Sequence, residues 1–500
     1  MSTQFWCERA WVDGTVADGV LLTCDDTGTL SGVETGIGSA PAGAEVVPGL
    51  TLPGGVNAHS HAFHRILRGR THGDGGTFWT WREVMYSVAA KLDPETYETV
   101  ARAVFAEMLA GGYTSVGEFH YLHHAQDGTP YGTVAESGRP RGDAAASQLR
   151  SEPTNAREDE SRLRGDAAEP SAGDAADEAA GSRAHAMERA LARAAASAGI
   201  RIRLLDTCYL TGAIDAELSA EQARFGDGTI DGYMDRHAAL SSAFAEEFPV
   251  RDPGESYVHV GAAIHSIRAV PAANLPRFAE LTGPVHVHLS EQPAENDACH
   301  AAYGTTPTQV LARSGVVGPN LSAVHATHLS EDDIAILGQS QASIVMCPAT
   351  EADLADGIGP ARELADAGAA IALGSDQHVV LDALRETQGL ETGERLRSGQ
   401  RGRFSPAELI SALTESGARS LELPVGSLEV GKACDFVALR TDSMRTFGSL
   451  DEQIILTATS ADVRLTVSGG RVRVRDGVHA ELGDIADLYA AAFAALGMEG

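Results

Sequence analysis

The sequence predicts an α/β fold, a TIM-like (β/α)8 barrel carrying a small β-sandwich domain built from both chain termini. Through the middle of the chain, short apolar strand candidates alternate with amphipathic helical stretches, the pattern of parallel βα units, for which a barrel of eight is the common closed solution. Both ends read instead as short strands joined by Gly, Asp and Thr turns. A length of 500 residues suits one large barrel plus a satellite.

Residues 1–50 contain Ala10-Trp11-Val12 and Gly19-Val20-Leu21-Leu22, separated by turn-forming residues. The far end repeats that texture at 436–439, 462–468 and 472–474. Residues 1–50 and 427–500 are therefore expected to form the composite β domain, and 51–426 the barrel. Barrel strand candidates lie at 115–119, 202–205, 285–288, 322–325 and 370–374. The stretch 137–181 breaks the pattern. It holds no Val, Ile, Met, Cys or aromatic residue, and its only leucines are Leu149 and Leu163. Such a segment buries too little apolar surface to offset its ordering entropy, so a disordered insertion is expected. Trp79 and Trp81, beside a Gly/Thr-rich run, are expected in an active-site lid.

A formal net charge of −31 argues against nucleic acid or an anionic membrane as partner. Function must then come from a local site. The six cysteines form no C-x-x-C pair, which excludes a disulfide framework or a zinc knuckle. The N-terminal residues lack a basic segment followed by an apolar one, and no apolar run would span a bilayer. The expectation is a cytoplasmic protein that acts on a small molecule.

The strongest local signal is His59-Ser60-His61, at the end of Leu52-Pro53-Gly54-Gly55-Val56-Asn57-Ala58. Side chains at i and i+2 of an extended segment share a face, so both imidazoles can reach one ion. Three further polar residues stand where apolar strand candidates stop: His288, His325 and Asp376. In a barrel those positions form the catalytic rim. Buried polar groups at four strand ends are costly unless they share a partner, and a metal supplies one. His286 shares a face with His288 but lies one step deeper, and His328 falls beyond its strand. His120, His123 and His124 suggest a second cluster, for which hydrogen-bonding or packing roles are preferred. Cys347 has no adjacent base and needs no nucleophilic role.

Together these residues resemble the amidohydrolase superfamily of metal-containing barrels. Some members hold two metals bridged by a carboxylated lysine. This chain has two lysines, Lys91, read as helical, and Lys432, read as lying in the C-terminal strands. One divalent metal per chain is therefore expected, zinc first and iron as the other candidate. His288 to Glu291 makes the H-x-x-E of the deaminases in that superfamily. Phe78-Trp79-Thr80-Trp81-Arg82, Glu118-Phe119-His120-Tyr121-Leu122-His123-His124, His265-Ser266-Ile267-Arg268 and Cys347-Pro348-Ala349-Thr350-Glu351 narrow the likeness to the N-formimino-L-glutamate deiminase family of histidine degradation.

That resemblance implies His59, His61, His288 and Asp376 as metal ligands, and Glu291, His325 and Asp376 as catalytic groups. It implies Arg82, Tyr121, His265 and Arg268 as substrate-binding residues, with His64 standing where the family usually has Gln. Two arginines suit a substrate carrying carboxylates, because guanidinium meets carboxylate in a bidentate fork. The implied reaction is hydrolysis to N-formyl-L-glutamate and ammonia by zinc-activated water, with Glu291 protonating the imino nitrogen. A homodimer is expected. A related deaminase acting on a nucleobase or guanidino compound stays open, as does a scaffold that has lost its metal.

Overall fold

The computed structural model describes residues 2–72, 78–132 and 184–499. The insertion expected at 137–181 lies outside them.

The chain opens on a hairpin, β1 (Thr3–Val12) and β2 (Thr15–Cys24). Its turn is Asp13-Gly14, both at positive φ (50° and 77°), the backbone that a two-residue hairpin loop requires. β3 (Leu30–Glu34) and β4 (Glu45–Pro53) follow, and β4 pairs parallel to β1. One residue, Gly54, separates β4 from β5 (Gly55–Ser60), the first barrel strand. Its amide donates to Asp435 O at 3.0 Å, and a Cβ added there would lie 2.2 Å from Thr114 Oγ1. No side chain fits at that junction.

Two helices, α1 (Phe78–Ala89) and α2 (Pro94–Ala110), lead to β6 (Tyr113–His120). Trp79 and Trp81 are thus helical, where a loop-like stretch was expected. No Gly or Pro interrupts 78–89, and Trp81, Met85, Val88 and Ala89 bury one helical face. The glycines just before it gave the stretch its loop-like look. Lys91 stands in the turn after α1 rather than in a helix. From residue 184 onward come α3 (Ala186–Ala198), β7 (Arg201–Cys208), α4 (Ile230–Glu247) and β8 (Val258–Ile264). β9 (Val285–Leu289) is followed by α5 (Pro293–Tyr303) and α6 (Pro307–Arg313), and β10 (Leu321–His325) by α7 (Glu331–Gln339). Next are β11 (Ser343–Met346), α8 (Pro348–Asp353), α9 (Ala361–Asp366) and β12 (Ala370–Leu373). The barrel ends with α10 (Ala383–Ser398), α11 (Pro406–Leu413) and α12 (Glu415–Ser420). Asp93-Pro94, Thr306-Pro307 and Ser405-Pro406 start their helices alike: the cap side chain accepts backbone N–H groups and proline takes the first turn.

Strands β5 to β12 lie in chain order, each parallel to the next. They are buried along almost their whole length, as strands covered on both faces must be. The seam between β12 and β5 is closed differently. His59 O accepts from Ser375 N (3.1 Å) and Asp376 N (3.0 Å), and His61 N donates to Asp376 O (3.1 Å).

The chain then returns to the terminal sheet as β13 (Phe436–Leu439), β14 (Val463–Ser468), β15 (Arg471–Arg475) and β16 (Val478–His479). β13 pairs antiparallel with β4, so the expected sandwich is built as one continuous sheet ordered β16-β15-β14-β13-β4-β1-β2-β3. It has its own apolar core, where the rings of Phe5 and Phe436 meet at 5.1 Å. A buried ion pair ties it to the barrel: Arg201 Nε donates to Asp435 Oδ2 at 2.8 Å and Nη2 to Oδ1 at 3.1 Å. The last helix, α13 (Ile485–Ala495), packs on α2, with the Tyr489 hydroxyl donating to Glu107. All six cysteines are buried free thiols. Among the described residues, no helix is long and apolar enough to cross a membrane.

Candidate metal centre and active site

The ends of β5, β9, β10 and β12 bring His59, His61, His288, His325 and Asp376 together at one rim of the barrel. All five are buried. Non-glycine residues at positive φ gather at the same strand ends: Ser290 (50°), His325 (68°), Ala326 (50°), Asp376 (44°) and His378 (59°). Backbone strain of this kind persists where surrounding structure over-determines it, commonly at functional sites.

Hydrogen bonds fix the ring orientations. His61 Nδ1–H donates to Phe119 O and His288 Nδ1–H to His265 O, each at 2.8 Å. Each ring therefore carries its lone pair on Nε2, and these two atoms face each other at 3.3 Å. His59 Nε2 lies 3.2 Å from His288 Nε2 and 3.4 Å from Asp376 Oδ1, and His61 Nε2 is 3.5 Å from that same oxygen. Facing lone pairs repel unless a cation lies between them. Ligands bound at about 2.0–2.1 Å stand roughly 3–3.5 Å apart around one ion, so this donor set fits a divalent metal. Burial pushes His59 down to about 3 and His61 to about 4, which keeps both rings neutral and able to ligate. Burial alone would raise Asp376, but His59, His325 and His61 hold it far below the usual carboxylate range.

His325 is placed differently. Its Nε2 stands 3.8 Å from Glu291 Oε1 and 3.9 Å from Asp376 Oδ2, while Nδ1 faces Glu351 Oε1 at 3.5 Å. Burial opposes its protonation, but Glu291, Glu351 and Asp376 outweigh that and raise it to about 10. Glu351 is anchored by Cys347 N, which donates to Oε1 at 2.8 Å. Its part in orienting His325 was not read from the sequence, although its motif had been singled out.

A cleft opens above these groups, and all five expected substrate-binding residues line it: His64, Arg82, Tyr121, His265 and Arg268. His64 Nε2 is 3.0 Å from the Tyr121 hydroxyl. Arg268 Nη2 is 3.7 Å from Glu291 Oε2. Burial and the neighbouring Arg268 and Arg82 hold His265 well below its ordinary value. Tyr86 and Tyr209 complete the wall beside Arg82. Reading 78–89 as a helix would have exposed Tyr86, which stands one turn after Arg82.

The other histidines lie apart from this centre. His286 Nε2 donates to Ser420 O at 3.0 Å, and His328 Nε2 to Asp356 O at 2.8 Å. His123 bonds to Glu188 (2.9 Å) and Thr207 O (2.8 Å), and His124 to Asp227 (3.1 Å). His120 has no hydrogen bond among the described residues and stacks on Tyr97. His120, His123 and Glu188 nevertheless offer ligand atoms close together. Lys91 reaches toward Leu496 O, and Lys432 lies in a bend before β13 rather than in a strand. Neither lies on a barrel strand.

The amidohydrolase family model matches residues 50–139 and 176–473, most of the chain. The chain belongs to the amidohydrolase family. Formimidoylglutamate deiminase of Pseudomonas aeruginosa is a relative 32% identical over 456 residues, 88% of this chain and 87% of that protein. A 5-methylthioadenosine/S-adenosylhomocysteine deaminase of Halobacterium salinarum is 25% identical over 477 residues, covering 93% and 90%. The crystal structure of an amidohydrolase from Brucella melitensis aligns over 99% of both chains, with a TM-score of 0.80 and 26% identity. As an amidohydrolase, this protein is a metal-dependent hydrolase acting on C–N bonds.

Proposed function

We propose that this amidohydrolase hydrolyses N-formimino-L-glutamate to N-formyl-L-glutamate and ammonia. The observation that carries the reading is one cleft lined by His61, His288, Asp376, Glu291 and two arginines. A neutral nucleobase makes no use of Arg82 together with Arg268, whereas a dicarboxylate substrate does. The likeness to the Pseudomonas deiminase supports the same substrate.

His59, His61, His288 and Asp376 would hold one divalent ion, zinc by the chemistry of the set. When bound, such an ion supplies Lewis acidity and lowers the pKa of water toward about 7. The chain's own residues do the remainder. Asp376 and His325 orient the attacking water, and the Asp376 carboxylate accepts its proton. Glu291, between His325 and Arg268, delivers a proton to the imino nitrogen so that ammonia can leave. His265, Tyr121 and His64 shape the cleft around the formimino group, and the arginines take the carboxylates. This chemistry would sit in a cytoplasmic pathway of histidine breakdown, in a homodimer.

Ammonia release from formiminoglutamate, beside guanine and formylglutamate controls, tests the reading. Turnover on formiminoglutamate alone is expected. Preference for guanine would replace the proposed substrate with a nucleobase.

A further inference from the structure

Arg82 is embedded in a hydrogen-bonded group whose donors can be counted. Its Nε donates to the Tyr86 hydroxyl at 2.6 Å, and Nη2 to the Tyr209 hydroxyl at 3.3 Å. Gln222, buried behind them, donates from Nε2 to the same two hydroxyls, at 3.1 Å to Tyr86 and 2.8 Å to Tyr209. The orientation of that amide is fixed, because its Oε1 accepts from Ser219 N at 2.9 Å. The NH2 end must therefore face the tyrosines.

Each phenol oxygen thus receives two N–H bonds, which fills both of its lone pairs. What each hydroxyl has left is its own hydrogen, and among the described residues neither hydrogen has an acceptor. Both tyrosines line the cleft with Arg82. Burial, with Tyr209 adding to it, pushes the Tyr86 phenol up to about 12, so that hydrogen is retained at neutral pH.

We infer that Tyr86 and Tyr209 are donors of a carboxylate-binding subsite around Arg82, and that Gln222 is the positioning residue that turns both hydroxyl hydrogens into the cleft. This rests on the proposed dicarboxylate substrate and assigns one end of it. The class of ligand follows from the count. Two O–H donors beside a guanidinium, with no side-chain acceptor beside them among the described residues, suit a planar anion better than a neutral amide, whose NH2 needs an acceptor.

The test compares Tyr86→Phe, Tyr209→Phe, Gln222→Glu and Gln222→Met in the metal-loaded enzyme. A hydrogen bond to a charged group predicts a loss in kcat/KM of about 10–100-fold for each Phe variant, carried by KM. Gln222→Glu keeps the shape but supplies an acceptor that draws both hydroxyl hydrogens out of the cleft. It should cost at least as much as either Phe variant. Gln222→Met only frees the hydroxyls to rotate and should cost less. Phe variants within about twofold of wild type would overturn the inference, as would Gln222→Met proving worse than Gln222→Glu, the order expected of a packing role. Should Gln222→Glu fail to fold, the Phe variants decide. Glutarate binding by the same proteins separates this inference from the proposed activity. Glutarate held by wild type and weakened in the Phe variants supports the subsite even if formiminoglutamate is not turned over. Unchanged glutarate affinity overturns it even if formiminoglutamate is turned over.

Discussion

At the scale of single residues, the centre depends on where protons are parked. His61 and His288 spend Nδ1–H on the carbonyls of Phe119 and His265, so the facing nitrogens have lone pairs to offer. Glu291 lies just outside that set, within reach of His325 and Arg268. Glu291→Gln is expected to keep the metal while kcat falls by about 10²–10⁴-fold, checked by metal analysis beside steady-state kinetics. A variant that lost its metal would instead make Glu291 a ligand. Arg268→Met should lower kcat/KM by several hundredfold, in line with about 2–5 kcal/mol for truncating one partner of a buried charge pair. The loss should shrink on an analogue lacking the matching carboxylate. The convergence of these positions was legible because histidine and aspartate at the ends of apolar strands have no cheap explanation apart from a shared ion. Tyr209, Gln222 and Glu351 were not legible. Their roles come from partners far away in sequence, which no local spacing reveals.

Among the elements, the strand ladder was readable from its apolar runs and the helices from their caps. The error at Trp79 and Trp81 came from letting neighbouring glycines outweigh a helical face of Trp81, Met85, Val88 and Ala89. Nothing in the sequence shows how the last barrel strand meets the first. That seam is closed by the segments bearing the proposed metal ligands, through His59 O and His61 N. Removing the metal should therefore loosen one seam and not the whole barrel. Hydrogen exchange on chelated protein is expected to quicken at the amides of His61, Ser375 and Asp376 while β6 and β7 stay protected. The melting temperature should fall as the stabilisation contributed by binding is lost. Uniform acceleration across all eight strands would contradict this.

In the whole molecule, the two sheets share a charge. Arg201 and Asp435 are both buried, and Arg201 Nη1 also donates to Ser256 O at 2.8 Å. Arg201→Met would leave Asp435 buried without its partner, a change worth about 3–5 kcal/mol of stability, measurable by urea unfolding. Acid should act on the same scale. Burial pushes His259 and His286 down to about 4, below the 6.5 of an unfolded histidine. Between those values the folded chain binds fewer protons than the unfolded one, so this contribution is full above 6.5 and is lost as pH falls toward 4. Glu118, raised by burial to about 8, pulls the opposite way. His286→Asn should accordingly flatten the acid limb of the stability profile relative to wild type. The junction at Gly54 has a consequence of another kind. With a single residue between the terminal sheet and the strand that carries His59 and His61, there is no hinge at which the two parts could be cut and recombined. The sheet's other half arrives only after the barrel is complete. A shuffled library that exchanged barrels between relatives at this point would have to carry both ends of the chain along, so the heritable module is the entire polypeptide.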